Sequence, residues 1–124
     1  MILEIDPQSA EPIYRQLREQ IIIGIATGEL NPGEQLPTVR QIADELGVNT
    51  MTVSKGYQQL KEEGYLITDR RKGTLINTLP VKKSDPKEQL TLLLAELFLQ
   101  GHSKKDLQQT VAKLLDSFRK DDLS

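Results

Sequence analysis

No cysteine occurs among the 124 residues, which excludes a disulfide framework, a thiolate zinc site and a cysteine nucleophile together. Histidine occurs once, as His102 beside Gly101. With no carboxylate constellation near it, it reads as a loop or cap residue rather than a metal ligand or general base. Glycine loops of the P-loop or dinucleotide type are missing as well, so neither an enzyme nor a cofactor or metal is expected. No apolar run approaches membrane-spanning length, and the start MILEIDPQSAEP carries acids where a signal peptide needs basic residues. The chain is therefore expected to be soluble and cytoplasmic, with no membrane partner. Internal repeats and low-complexity tracts are also absent.

What is present is ordinary for a folded protein: 37% hydrophobic and 27% charged residues, in a length sufficient for one domain or a small domain with an appendage. The net charge of −2 argues mildly against a nucleic-acid partner. Position matters more than the total. Arg40, Lys55, Arg70, Arg71 and Lys72 cluster in sequence around one motif, while Glu4, Asp6, Glu29, Glu62 and Glu63 are free to occupy other faces.

Pro12 suits a first helical position, and Ile13, Leu17, Ile21 and Ile25 repeat every four residues, predicting a helix over 12–27 that ends at Gly28 and Pro32-Gly33. Thr38 can cap a second helix whose buried side is Val39, Ile42, Ala43 and Leu46, and Gly47 stops it. Asn49 or Thr50 can cap a third, with Val53, Tyr57 and Leu60 inside and Gly64 at its end. Two strand-like runs, 65–68 and 74–77, flank the charged turn Asp69 to Gly73. A polar segment with Pro80 and Pro86 then reads as a linker over 80–86.

The remainder predicts two helices. Leu90, Leu92, Leu93, Leu94, Leu97, Phe98 and Leu99 make the first apolar on most of its circumference. Ser103 with Asp106 resembles a capping box for the second, whose apolar positions are Leu107, Val111, Leu114 and Phe118. The fold class is mainly α with a small β-hairpin: a winged helix-turn-helix over 1–79, the linker, and a two-helix dimerisation region over 87–124.

The third helix begins with Asn49, Thr50, Thr52 and Ser54, where alanine, leucine or glutamate would hold a helix better. In a winged helix-turn-helix this turn meets base edges in the major groove, and short polar side chains approach them closely. Capping is the competing explanation. Arg70, Arg71 and Lys72 can touch the DNA backbone or form a solvated turn, and Arg40 can pair with Asp44 one helical turn on.

PIYRQL, LPTVRQIADELGVNTMTVSKGYQQLKEEGYL and RRKGT resemble the DNA-binding domain of GntR-type bacterial transcription regulators over about residues 10–78, and the short helical tail resembles the YtrA-type subfamily. The resemblance implies DNA contacts from Thr38, Arg40, Asn49, Thr50, Thr52 and Ser54, a phosphate contact from Lys55, and close approach of the wing at Gly73. Three positions depart from the family pattern besides Thr38, which replaces a serine but keeps the hydroxyl. Arg71 replaces a wing glycine, Leu75 a frequent aromatic, and Gly56 a common alanine at a cost of about 1 kcal/mol unless close packing requires it.

Leucines on several faces of the first tail helix need a partner, and a two-fold dimer through Leu90, Leu93, Leu94, Leu97, Phe98, Leu107, Val111, Leu114 and Phe118 supplies one. An intrachain core is the alternative. The expected partners are thus an inverted-repeat DNA operator and a second copy of the chain, with repression as the expected outcome; so short a tail shows no obvious effector pocket. The rival reading is a winged helix that binds protein or RNA.

Overall fold

Helix α1, Ile13–Thr27, starts where the Pro12 carbonyl accepts the Gln16 amide, so Pro12 caps the helix from just outside it. In the computed structural model, which describes residues 3–78 and 85–119, α1 buries Leu17 and Ile21 completely and leaves Ile13 and Ile25 partly covered. The preceding segment lies along it through two glutamines one turn apart. Gln20 Oε1 accepts from the Glu4 amide at 2.8 Å and Gln16 Oε1 from the Asp6 amide at 2.9 Å, while their side-chain amides donate back to the Glu4 and Asp6 carbonyls. A strand-like pairing is thereby made with side chains.

Thr38 begins α2, Val39–Leu46, with a full capping box: its hydroxyl accepts from the Gln41 amide at 3.1 Å, and Gln41 Oε1 accepts from the Thr38 amide at 2.8 Å. Gly47 ends the helix at φ 70°, a left-handed conformation costly for a side chain, and so makes the turn into α3 tight. Asn49 caps α3, Thr50–Glu62. At its far end the Gly64 amide donates to the Lys61 carbonyl and the Tyr65 amide to the Leu60 carbonyl, closing a Schellman motif one residue beyond the C-cap Glu63.

Strands β1, Leu66–Asp69, and β2, Gly73–Ile76, pair antiparallel with Leu66 opposite Ile76 and Asp69 opposite Gly73. The sequence reading missed a third edge. The Gly33 and Leu36 amides donate to the Ile76 and Thr74 carbonyls, the Ile76 amide donates to the Glu34 carbonyl, and Gln35 bridges Leu75. Proline and glycine at 32–33 conceal so short a pairing from any periodicity.

Leu17, Ile21, Leu30, Leu36, Ile42, Ala43, Val53, Tyr57, Leu60, Leu66 and Ile76 form the core. α3 is its centre, packed on α1, α2 and β1. Arg18 on α1 forks onto Glu63, with Nε 2.8 Å from Oε1 and a second contact from Nη2 to Oε2, joining α1 to the end of α3. That hydrogen bond also raises the Arg18 pKa further.

The chain divides into two compact units, 1–81 and 82–124. The expected linker lies outside the described residues except for Asp85 and Pro86, which start α4, Lys87–Leu99. α5, Lys104–Ser117, is capped by Ser103 accepting from the Asp106 amide, and exposed His102 sits in the intervening loop. Neither helix buries a residue. Among the described residues, Leu90, Leu93, Phe98, Val111, Leu114 and Phe118 are exposed, Leu94, Leu97 and Leu107 are only partly covered, and Leu92, Leu99 and Leu115 are exposed too.

Candidate nucleic-acid interface

The outward side of α3 is the complement of its core face. With Val53, Gly56, Tyr57 and Leu60 buried, the helix presents Thr50, Met51, Ser54, Lys55 and Gln58, the spacing that one exposed stripe requires. Its first polar residues divide into two kinds. Asn49 Oδ1 accepts from both the amide and the hydroxyl of Thr52, at 2.9 and 3.0 Å, so these two side chains hold the helix start together. Thr50 and Ser54 make no side-chain hydrogen bond among the described residues, leaving their hydroxyls available to an incoming acceptor or donor.

Met51, 81% exposed, was not singled out by the sequence reading. A flexible thioether displayed at a recognition-helix start offers apolar contact of the kind a thymine methyl makes in the major groove. Its signal was its register, one residue after Thr50 and opposite the buried Val53.

Arg40 stands exposed at the second position of α2, and no ion pair joins it to Asp44. The loop that delivers it is held from the core: the buried Tyr57 donates its hydroxyl to the Pro37 carbonyl at 2.7 Å, and burial pushes the phenol pKa well up, so it stays a donor. Tyr57→Phe leaves that carbonyl without its partner and is expected to destabilise the fold by about 1 kcal/mol, measured as a lower urea midpoint with an unchanged denaturant slope. Thr38, although engaged by Gln41, retains its own hydroxyl proton for a phosphate.

At the wing tip Asp69 Oδ1 accepts from the amides of Arg71 and Lys72 at 2.7 and 2.9 Å, which folds the turn, and the Arg70, Arg71 and Lys72 side chains on it are exposed. The wing residue that needs a left-handed backbone is Gly73, at φ 82°; among the described residues no residue type other than glycine takes positive φ, so Arg71 in place of a glycine causes no backbone strain. Leu75, the other wing departure, is buried and packs into the sheet.

The Lys72 and Arg71 amides lower the Asp69 pKa from its ordinary 3.8. A depressed folded-state pKa stabilises the turn above the unfolded value and loses that contribution as pH falls through the folded one. An NMR titration is expected to show the Arg71 and Lys72 amide shifts moving with a midpoint below 3.8; a midpoint at or above it contradicts the turn.

Thr38, Arg40, the start of α3 and the wing all belong to the first compact unit. Among the described residues no group of three or more histidines, cysteines, aspartates or glutamates is placed to hold a metal, and no helix is long and apolar enough to cross a membrane. The fold and the site define a winged helix-turn-helix DNA-binding regulator.

Residues 10–76 match the family described as bacterial regulatory proteins, gntR family, and the chain belongs to that family, with a YtrA-type tail. It is 33% identical to the HTH-type transcriptional repressor YtrA of Bacillus subtilis, over 91% of this chain and 92% of that protein. A structure described as a transcriptional antiterminator from Listeria monocytogenes EGD-e superposes with a TM-score of 0.81 at 30% identity, covering 98% of this chain and 96% of the other. AraR(DBD) in complex with operator ORX1 superposes with a TM-score of 0.54 at 27% identity, over 61% of this chain and 98% of its own.

Proposed function

We propose that the chain is a homodimeric transcription repressor that binds an inverted-repeat operator in double-stranded DNA. The exposed stripe of α3, with the free hydroxyls of Thr50 and Ser54 beside Met51, carries this reading. Those residues contact base edges; Arg40, Lys55 and the wing residues Arg70, Arg71 and Lys72 contact the duplex, with Thr38 on a phosphate and Gly73 letting the wing approach. Asn49 and Thr52 preserve the helix start that presents them. The operator complex of AraR(DBD) supports the docking mode.

The tail supports the dimer. Two helices without one buried residue, and with leucine or phenylalanine exposed at positions from Leu90 to Phe118, expose apolar surface that a second copy covers symmetrically. Two linked winged helices then address two half-sites in successive major grooves, which requires an inverted repeat. Repression is the reading supported by the Bacillus subtilis relative, which is a transcriptional repressor.

The test is selection of bound duplexes from a random pool, then anisotropy titration of the enriched sequence at two salt concentrations. A salt-sensitive inverted repeat is expected, because each phosphate contact releases counterions. Binding that ignores duplex sequence and salt would instead favour a winged helix that binds protein or RNA.

A further inference from the structure

Lys55 leaves α3 on its exposed side, yet its ammonium is already docked: Nζ lies 4.1 Å from the centroid of the Tyr14 ring on α1. The helix packing accounts for the meeting. At Gly56, an added Cβ would lie 3.1 Å from the Tyr14 carbonyl oxygen and 3.2 Å from Leu17 Cδ2. Glycine omits that atom, so the turn of α1 carrying Tyr14 lies directly against the turn of α3 carrying Lys55. The apparent helix weakness at Gly56 is thus tied to a specific close approach.

We infer that Tyr14 is a positioning residue for phosphate binding, its ring holding the Lys55 ammonium ready at the edge of the exposed face of α3. This rests on the DNA-binding reading above. The aromatic face attracts the cation without supplying an oxygen acceptor, so the N–H donors turned away from the ring remain for a phosphate oxygen. A carboxylate in the same place would have to be displaced first. An unheld lysine spreads over many rotamers and loses that freedom on binding, whereas a docked one has already lost part of it.

The experiment is a double-mutant cycle on the full chain, by anisotropy with the selected duplex, using Tyr14→Leu, Lys55→Met, the double variant and Tyr14→Phe. Tyr14→Leu is expected to weaken binding about two- to five-fold when Lys55 is present, and to add nothing when Lys55 is methionine. Tyr14→Phe, which keeps the ring, is expected to bind as the parent does. Equal losses with and without Lys55 would overturn the inference, as would a Tyr14→Phe loss as large as that of Tyr14→Leu, because the hydroxyl would then be the contact.

A second readout needs no folded Tyr14→Leu protein. The ε-methylene protons of Lys55 are expected to be shifted upfield by the ring in the free parent and in Tyr14→Phe, and unshifted positions in both would overturn the docking. A parent that enriches no duplex overturns the DNA-binding reading and this inference together; a parent that binds its duplex with no dependence on Tyr14 overturns this inference alone.

Discussion

A Leu93→Asp protein is expected to be a monomer by light scattering and to bind an inverted-repeat duplex roughly 10²- to 10⁴-fold more weakly than the parent. Leu93 is 57% exposed in the single chain, so aspartate there removes little intrachain packing. In a symmetric tail interface the change appears twice, and each carboxylate has to be taken out of water without a partner. The loss on DNA exceeds any direct contact, because a monomer no longer gains the second half-site at high effective concentration. A Leu93→Asp protein that stays dimeric contradicts the tail interface, and a monomer with parental affinity contradicts the two-half-site reading.

Arg40→Ala is expected to cost about 1 to 3 kcal/mol of DNA binding, roughly five- to 150-fold in affinity, with thermal unfolding unchanged. The two effects separate because Arg40 is exposed and joined to no acid among the described residues, while the start of α2 is held by Thr38, Gln41 and the Tyr57 hydroxyl bond to Pro37. Surface substitutions of this kind shift stability within about 0.5 kcal/mol. If affinity at two salt concentrations falls by the same factor for unrelated duplexes, Arg40 holds phosphate; if it falls mainly for the selected duplex, Arg40 reads a base. Parental affinity in the folded variant removes Arg40 from the interface.

The helices were legible where local chemistry and periodicity agree. Leu17 and Ile21 follow a four-residue repeat, Val53, Tyr57 and Leu60 fall at spacings of four and three, Thr38 is a cap in sequence and in space, and of the two candidate caps Asn49 and Thr50 it is Asn49 that caps. The hairpin was legible for the same reason, two β-favouring runs around a turn, with its ends displaced by about one residue. Pairings whose partner lies far along the chain were not: the edge at 33–36 on β2, and the attachment of Glu4 and Asp6 to Gln20 and Gln16, carry no local period.

The candidate site divides in the same way. Residue type and order located a polar helix start, Arg40 and a basic wing, but could not separate side chains left open on the helix surface from those that close its first turn. Asn49 and Thr52 close on each other while Thr50 and Ser54 stay open, although all four look alike in sequence. Met51 was overlooked because an apolar residue reads as core until its neighbours show which side of the helix is buried.

By itself the sequence determined the order of elements, the family, and the absence of cysteine chemistry, because these depend on residue identity and on spacing within a few turns. Only the tertiary structure decided which side chains are already occupied. The Tyr14 ring under Lys55, the Gly56 approach that seats it and the unburied leucines of α4 and α5 all depend on which surfaces meet. Close packing acts between residues that are distant in the chain, and a linear pattern records only each residue's own half of such a contact.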